Sequence, residues 1–413
     1  MKIAVITRCL YSGGTERVIA KLSLMWSELG HEVGFITLLP ENSLDYPHKC
    51  SWRTHLDEHG DVAAQIKSAH AKTGFELVLV NGGWNADFYR PSIKAIRGIG
   101  GVKLGTILHH AFDNWAFSLE NAGDFDKDDV LPLNDFVVSV DKLQALWWSR
   151  RHPCVFCICN PIAVCGKEMD CGHAERTTSS GMELLWVGRP NDKGKRVELV
   201  IDVFRLVAAK HETTRLTVVG AIESGKKNSL LGCLDEDIRK RVTFAGYVAD
   251  TRQYLSKAAI NLVTTQWEVT VPQVILEAQA AGVQTIALDL PVLRNVDGVR
   301  CVKSVDEMAA TIIEEKALNR RTPFVDVEGR NCAVKRKWND LFASLCRDDF
   351  SKIAEEWSGK WRTVENAELL LDEIQRSESV HVHRHIPDLI RLKIWEGRLS
   401  KLKNLLCARR LRT

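Results

Sequence analysis

The sequence lacks any long apolar run: in its 413 residues, no such run approaches the ~18 residues that a membrane-spanning helix needs. We therefore expect no helix of this chain to cross a bilayer. The opening segment, Met1–Ile6, is a short apolar run followed by an amphipathic stretch. This pattern predicts a buried β-strand and a helix rather than a signal peptide.

A cysteine framework and a strong net charge are also missing. The twelve cysteines are scattered without the spacing of a disulfide scaffold, which predicts reduced thiols in a cytosolic protein. The net charge of +3 is too small to indicate bulk nucleic-acid binding. An apolar content of 45% is typical of a globular protein, and the length suits two domains plus an extension.

Two groups of cysteine and histidine residues have some features of a metal site. The first contains one Cys-x-x-Cys pair but lacks the second such pair that a zinc site of this type needs. We therefore favour the interpretation that its cysteines are small apolar side chains in a strand. The second would share one face of an extended segment, with no further ligand nearby in sequence. We therefore expect no metal ion at either group. The first group consists of Cys154, Cys157, Cys159, Cys165, Cys171 and His173, and the second of His381, His383 and His385.

Four short segments carry the strongest signal of chemistry. Two are apolar strands that end in glycine, and a third is predicted to open a helix. The fourth predicts a loop and then a helix with Pro272 at its first position and Gly282 just beyond its end. The segments are Glu183–Arg189, Leu216–Gly220, Asp192–Lys195 and Gln266–Gly282.

The charges in these segments suit a diphosphate ligand. Arg189 and Lys193 offer positive charge directly after the first strand. Helix N-termini add backbone N–H groups that have no partner within the helix. Together these features favour a nucleotide-sugar site.

The segments resemble the donor domain of glycosyltransferase family 4, which has the GT-B fold of two facing Rossmann-like domains. The family pattern is a Val-Gly-Arg strand end, a Lys-Gly shortly after it, and two glutamates flanking a helix start. The resemblance implies that Arg189 and Lys193 bind the donor phosphates and that Glu277 binds the ribose hydroxyls. Glu268 precedes Glu277 by one residue more than the family spacing, so Val269 also aligns with the first glutamate.

The same resemblance also implies a binding site for the nucleobase of the donor. The segment Phe244–Val248 predicts a strand and a turn around Gly246. In the family, the backbone just after this glycine pairs with the base, which implies a donor-binding role for Tyr247 and Val248.

The N-terminal half reads as alternating strands and helices, which predicts a mostly parallel sheet covered on both faces. Gly13 and Gly14 form a turn between the first strand and a helix. Backbone there can approach a ligand, which makes both glycines candidate donor-binding residues, or the segment is a plain turn. This opening also resembles family 4 acceptor domains. His109 and His110 follow a predicted central strand, and in the family a histidine there lines the sugar site. Either histidine is a candidate, and a structural role is the alternative.

We therefore predict an α/β protein of GT-B type, with two Rossmann-like doubly wound domains and a C-terminal helical extension. The expected acceptor-side domain is 1–165 and the nucleotide-sugar domain 181–320. A helix at 330–346 is expected to cross back to the first domain, as in GT-B enzymes. Residues 347–413 complete the chain as a basic helical extension.

The last part of this extension, 387–413, combines an apolar stripe with many cations. Residues 389–413 contain eight Lys or Arg and one acidic residue. This pattern predicts either a helix lying on an anionic membrane surface or a helix packed on the first domain. The stripe consists of Leu389, Leu392, Trp395, Leu399, Leu402 and Leu406.

The predicted function is that of a retaining glycosyltransferase. It would move a sugar from a nucleotide-diphosphate donor to a hydroxyl acceptor, either a glycan or a lipid-linked glycan. The expected catalytic residues are Arg189, Lys193, Glu268 and one of His109 and His110. The resemblance implies that cations and helix N-termini act without a metal or other cofactor. Two alternatives are an inactive nucleotide-sugar-binding scaffold and an epimerase.

Overall fold

The computed structural model describes most of the chain up to residue 370. Predictions for His110, Val269, the segment 387–413 and the histidine group at 381–385 lie outside the described residues. The same holds for Cys165, Cys171 and His173 of the first cysteine and histidine group. The described residues are 1–7, 10, 13–37, 47–57, 59–81, 86–109, 131–149, 151–163, 181–268, 270–294, 296–316, 325–345, 347, 350–359, 366 and 368–370.

The chain divides into two compact units. The first combines Met1–Pro161 with the residues from Arg330 onward, and the second is Ile162–Gly329. Each unit contains one sheet, and every strand pairing within it is parallel. The predicted alternation of strands and helices is confirmed.

The first unit has a seven-stranded sheet in the order β3-β2-β1-β4-β5-β6-β7. Strand β1 is buried on both faces, because helices cover both sides of such a sheet, and its sequence is accordingly a continuous apolar run. The strands are β1 (Lys2–Thr7), β2 (Glu32–Thr37), β3 (Trp52–His55), β4 (Leu77–Asn81), β5 (Lys103–Leu108), β6 (Phe136–Ser139) and β7 (Val155–Cys157).

Helices of the first unit begin and end at recognisable signals. The Asp61 side chain accepts a hydrogen bond from the Ala64 N–H at the start of α2, and Gly74, with φ 65°, ends that helix. The helices are α1 (Gly14–Glu28), α2 (Val62–Thr73), α3 (Ala86–Arg97), α4 (Lys142–Trp148), α11 (Val327–Ser344) and α12 (Phe350–Ser358), with a 3₁₀ turn at Leu131–Leu133.

Helix α11 contains the segment predicted to return to the first domain. Its Trp338 packs edge-to-face on Trp26 of α1, with 4.9 Å between ring centroids. Phe342 packs in the same way on His31. Trp26 and Trp338 are almost completely buried, so this late helix forms part of the core of the first unit.

The second unit has a six-stranded sheet in the order β10-β9-β8-β11-β12-β13. Its strands are β8 (Glu183–Val187), β9 (Arg215–Val219), β10 (Val242–Gly246), β11 (Ile260–Val263), β12 (Gln284–Leu288) and β13 (Val299–Val302). Its helices are α5 (Val197–Ala208), α6 (Ser224–Gly232), α7 (Glu236–Arg239), α8 (Arg252–Leu255), α9 (Gln273–Ala280) and α10 (Val305–Lys316), with a 3₁₀ turn at Pro291–Leu293.

The apolar residues of α5 are spaced so that one face of the helix packs against this sheet. Its buried residues recur at three- and four-residue steps and share one cluster with strand residues such as Leu184: they are Val200, Ile201, Phe204 and Val207.

In the part of the chain that the structure describes, no helix has the length and apolar character of a membrane span.

Candidate functional site

The sheet of the second unit has a switch point between its neighbouring strands β8 and β11. The chain leaves β8 toward β9 and β10 on one side, and β11 continues toward β12 and β13 on the other. Ligands of open α/β sheets bind in the crevice that this reversal creates at the carboxyl ends of the strands. Two loops lie there: 188–196 after β8, and after β11 the described residues 264–268 and 270–272.

The first loop is a turn shaped by Asp192. Its carboxylate accepts a hydrogen bond from the Gly194 N–H at 2.9 Å and forms an ion pair with Arg189 at 2.8 Å. Arg196 then takes a left-handed backbone conformation, with φ 51°, and caps α5. The prediction that Asp192–Lys195 opens the helix was therefore slightly wrong, because these residues form the turn that precedes it.

Hydrogen bonds join the two loops. The Gln266 N–H donates to the Gly194 carbonyl at 2.8 Å, and the Thr264 hydroxyl donates to the Lys195 carbonyl at 2.9 Å. A Cβ added at Gly194 would lie 2.5 Å from the Trp267 ring, so only glycine fits this close approach. The loops thus form one connected surface at the switch point.

The joined loops bring a cation and a carboxylate together. Lys195 forms an ion pair with Glu268, and these side chains are 28% and 15% exposed. Lys193 is exposed, and 75% of the Arg189 side chain is accessible. Sequence reasoning chose Lys193 from the Lys-Gly pattern and missed Lys195. The linear pattern gave no signal for Lys195, because the position of this residue depends on the contact of Gly194 with Trp267.

Glu277 lies on α9 and is deeply buried. It is 2% exposed, and its Oε2 accepts a hydrogen bond from the Thr251 hydroxyl at 2.7 Å. Pro272 is the N-cap of α9 rather than its predicted first helical residue, and Gly282, with φ 62°, follows the helix end. The predicted loop and helix are therefore present, with the start of the helix displaced by one position.

Glycines end the strands on the other side of the switch point. Gly220 has φ 143°, and a Cβ there would lie 2.0 Å from the Gly188 carbonyl oxygen. Its N–H donates to the carbonyl of Gly246, which has φ 73°. Tyr247 directly after is 46% exposed, whereas Val248 packs against an apolar cluster. The surface predicted to meet a nucleobase therefore has an aromatic ring open to solvent.

The remaining predicted residues belong to the first unit. Gly13 is the N-cap of α1, and Gly14 is its first residue, with nothing within 4 Å of a Cβ placed there. His109 directly follows β5 and is partly buried. Because Gly13 and His109 lie beyond the carboxyl ends of β1 and β5, they occupy the same edge of the sheet, as predicted for such strand ends.

A second titratable group of the first unit was not anticipated. Burial raises the pKa of the Asp141 carboxyl to about 7. The Cys157 thiol donates a hydrogen bond to Cys159, and this bond, with the nearby charges of Lys337, Arg330 and Lys142, lowers the pKa of Cys159 to about 6. The same bond and burial raise the pKa of Cys157. The interpretation of these cysteines as ordinary apolar side chains overlooked Cys159.

No group of three or more His, Cys, Asp or Glu residues in the described ranges is arranged as a metal site. The cysteines of those ranges are free thiols: Cys50, Cys154, Cys157, Cys159, Cys233, Cys301 and Cys332.

The chain is similar to known glycosyltransferases in sequence and in fold. Residues 181–315 match the family model of the glycosyl transferases group 1. No curated protein sequence shows a significant match to the chain.

Among solved structures, Anabaena HepE in complex with UDP and glucose aligns with a TM-score of 0.62 at 16% identity, over 84% of this chain and 100% of HepE. The lipopolysaccharide outer core galactosyltransferase WaaB gives 0.59 at 16% identity, with the same two coverages. A putative UDP-N-acetylglucosamine 2-epimerase from Listeria monocytogenes gives 0.52 at 14% identity, over 84% of this chain and 97% of the epimerase.

These identities establish the fold alone, and an epimerase shares it. The predicted α/β class with two Rossmann-like sheets is confirmed. Residues 181–315 thus match the glycosyl transferases group 1, and the chain has the two-domain α/β architecture of the GT-B glycosyltransferases.

Proposed function

We propose that this protein is a retaining glycosyltransferase. It transfers a sugar from a nucleotide-diphosphate sugar to a hydroxyl group of a glycan or lipid-linked glycan. The observation that carries the proposal is the ion pair of Lys195 and Glu268 on two joined loops at the switch point of the second sheet. The family match spans both loops, which adds sequence support to this geometry.

The chemical task is to stabilise a diphosphate as it leaves the sugar. Negative charge grows on the diphosphate while positive charge develops at the anomeric carbon. Preorganised cations lower this barrier because their geometry needs no rearrangement during the reaction. We assign Arg189 and Lys195 to the diphosphate, with Lys193 as an exposed auxiliary cation. This assignment includes no metal ion, since the side chains supply the charge.

Lys195 is preferred over Lys193 because Glu268 orients it. An ion pair with low exposure restricts the ammonium group, whereas an exposed lysine must lose side-chain freedom when it binds. Glu268 is then the carboxylate that faces the donor sugar, and the extra residue between Glu268 and Glu277 is accommodated in the loop. Glu277 binds the ribose hydroxyls, and the turn at Tyr247 and Val248 binds the base.

The first unit contributes the acceptor side of the proposal. Its Gly13 and Gly14 allow backbone to approach the donor, and one of His109 and His110 lines the sugar site. An imidazole accepts or donates a proton near neutral pH, which suits contact with a reacting hydroxyl. This part is supported by the resemblance of the opening segment to family 4 acceptor domains.

We also propose that 387–413 holds the enzyme at an anionic membrane surface on the cytoplasmic side. The stripe of leucines and the eight cations between 389 and 413 support this placement. Vesicles containing anionic lipid should sediment the full chain at low salt but much less of a chain that ends at Ile386. Equal sedimentation of both chains would contradict the proposal.

The activity test uses the pure full-length chain with UDP-, GDP- and ADP-sugars and an extract of cell glycolipids. We expect one donor class to release nucleoside diphosphate in an acceptor-dependent way, and NMR of the product to show the donor's anomeric configuration. Lys195→Ala should abolish most release, whereas Lys210→Ala, which removes an exposed lysine just beyond α5, should not change it. Nucleotide binding without turnover would indicate a scaffold, and isomerised donor without acceptor would indicate an epimerase.

A further inference from the structure

A buried hydrogen bond joins Thr251 to Glu277 in the second unit. The Thr251 hydroxyl donates to Glu277 Oε2 over 2.7 Å. Thr251 is 6% exposed and Glu277 is 2% exposed. The bond connects the turn after β10 with the helix α9.

Both partners of this bond are buried, and apolar residues of one cluster lie close to them in sequence. Leu255 of α8 and Ala278 of α9, which lie close in sequence to the bonded pair, belong to one buried cluster. In such surroundings, a hydrogen bond to a carboxylate is stronger than in water, and its loss leaves a buried acceptor incompletely satisfied.

We propose that Thr251 is a positioning residue that fixes the Glu277 carboxylate for the ribose of the donor. This inference rests on the proposed function, in which Glu277 binds the ribose hydroxyls. A glutamate side chain rotates about three bonds, and one short hydrogen bond to Oε2 selects a single carboxylate orientation. The other oxygen is then directed by the orientation that Thr251 imposes.

The expected signature is specific to the ribose. A change at Thr251 should alter the preference for ribose hydroxyls and leave the affinity of the diphosphate and base largely intact. A general loosening of the fold would instead weaken every nucleotide by the same factor. The ratio of the dissociation constants of a nucleotide with and without its ribose hydroxyls therefore separates positioning from a merely structural role.

The experiment measures binding by calorimetry with the full-length chain. The probes are whichever of UDP, GDP and ADP binds the wild type most tightly and its 2′,3′-dideoxy counterpart. We expect the wild type to prefer the ribonucleotide by about 10-fold or more, the scale of hydrogen bonds to a charged group. Thr251→Val, which keeps the shape and removes the hydroxyl, should reduce this preference at least about 3-fold.

Three variants make the result decisive. Thr251→Ser retains a hydroxyl and should keep the wild-type preference for the ribonucleotide. If Thr251→Val does not fold, Thr251→Ala takes its place. Glu277→Gln should abolish the preference, and Thr251→Val should add nothing in that background. A wild-type preference in Glu277→Gln would overturn the ribose assignment of the proposed function. A preference lost in Glu277→Gln but intact in Thr251→Val and Thr251→Ala would overturn the role of Thr251 alone.

Discussion

The ammonium group of Lys195 forms an ion pair with the carboxylate of Glu268, which lies on the next loop of the switch point. This pair connects the end of the β8 loop to the loop that leads into α9. It therefore holds a cation and an acid at the place where a parallel sheet accepts its ligand. Both the charge of the pair and the loop packing that supports it can be tested.

Lys195→Ala should lower turnover by about 10²-fold, because one preorganised charge for the leaving diphosphate is removed. Lys193→Ala, two residues earlier and exposed, should cost less than about 5-fold, the scale of a screened surface charge. Steady-state kinetics with the identified donor would measure both effects. The opposite order of effects would return the assignment to Lys193.

Glu268→Gln should reduce turnover by about 10-fold or more while nucleoside diphosphate binding changes little. The amide keeps the size of the side chain but cannot pair with Lys195 as an anion. Comparing kcat with the dissociation constant of the nucleotide separates these two effects. If Glu268 is only a loop residue, kcat of the variant will equal that of the wild type.

Gly194→Ala should destabilise the second unit by about 1–3 kcal/mol, because the new methyl group would overlap the Trp267 ring. Gly225→Ala in α6 is the matched control. A Cβ there has nothing within 4 Å, and alanine favours a helix over glycine by about 1 kcal/mol. Urea unfolding should therefore show a loss of stability for the first variant and a small gain for the second. Equal stabilities would show that the two loops move apart without cost.

Asp141 should make the protein less stable as pH rises. Burial raises its folded-state pKa from the ordinary value of 3.8 to about 7. The stabilising contribution is therefore complete below the lower of these values, is lost progressively as pH rises, and has disappeared above about pH 7. Asp141→Asn keeps an oxygen that caps α4 and does not titrate. Cys159 has the opposite sign, since its folded pKa is lowered, and the comparison is therefore made with Cys159→Ser in both proteins. Burial, the largest cause, still raises the pKa of Asp141 in that background, although the smaller contribution of Cys159 is removed. Urea unfolding at about pH 5 and about pH 8 should show a larger loss for the chain that retains Asp141.

Cys159 should react with iodoacetamide before cysteines that are more accessible. At about pH 6 a large fraction of this thiol is ionised, and after allowing for the weaker nucleophilicity of a low-pKa thiolate we expect about a 10-fold higher rate than at exposed Cys233 and Cys332. Peptide mass spectrometry at short reaction times would give the order. Lys337→Met should slow Cys159 without affecting Cys233. A Cys159 labelling rate that shows no inflection near pH 6 when the pH is varied would contradict the lowered pKa.

Most of the fold could be predicted from the sequence, and the reason is burial. Strands such as β1 and β8 are enclosed by helices, so their sequences are short apolar runs bounded by turn residues. Strand β3 was missed, because its pattern of half-buried and exposed residues gives no such run. Helices α2 and α3 were also not identified from the sequence.

The candidate site was only partly predictable, since its residues meet through loop packing. Arg189, Glu268 and Glu277 follow a linear pattern and could be named from it. Lys195 could not, because its role depends on a turn made by Asp192 and on the contact of Gly194 with Trp267. Thr251 reaches Glu277 through the fold, and its neighbours in sequence gave no indication of that contact.

The contact between Trp26 and Trp338 has a consequence for biosynthesis. Trp26 is synthesised early, but its partner emerges from the ribosome only after the whole second unit. At ~5–20 residues per second, the aromatic surface of α1 remains uncovered for roughly 15–60 s. The second unit, which is continuous in sequence, can therefore finish folding before the first. A nascent chain that has reached Gly329 still has an incomplete hydrophobic core in its N-terminal half, and chaperones have that interval in which to bind it.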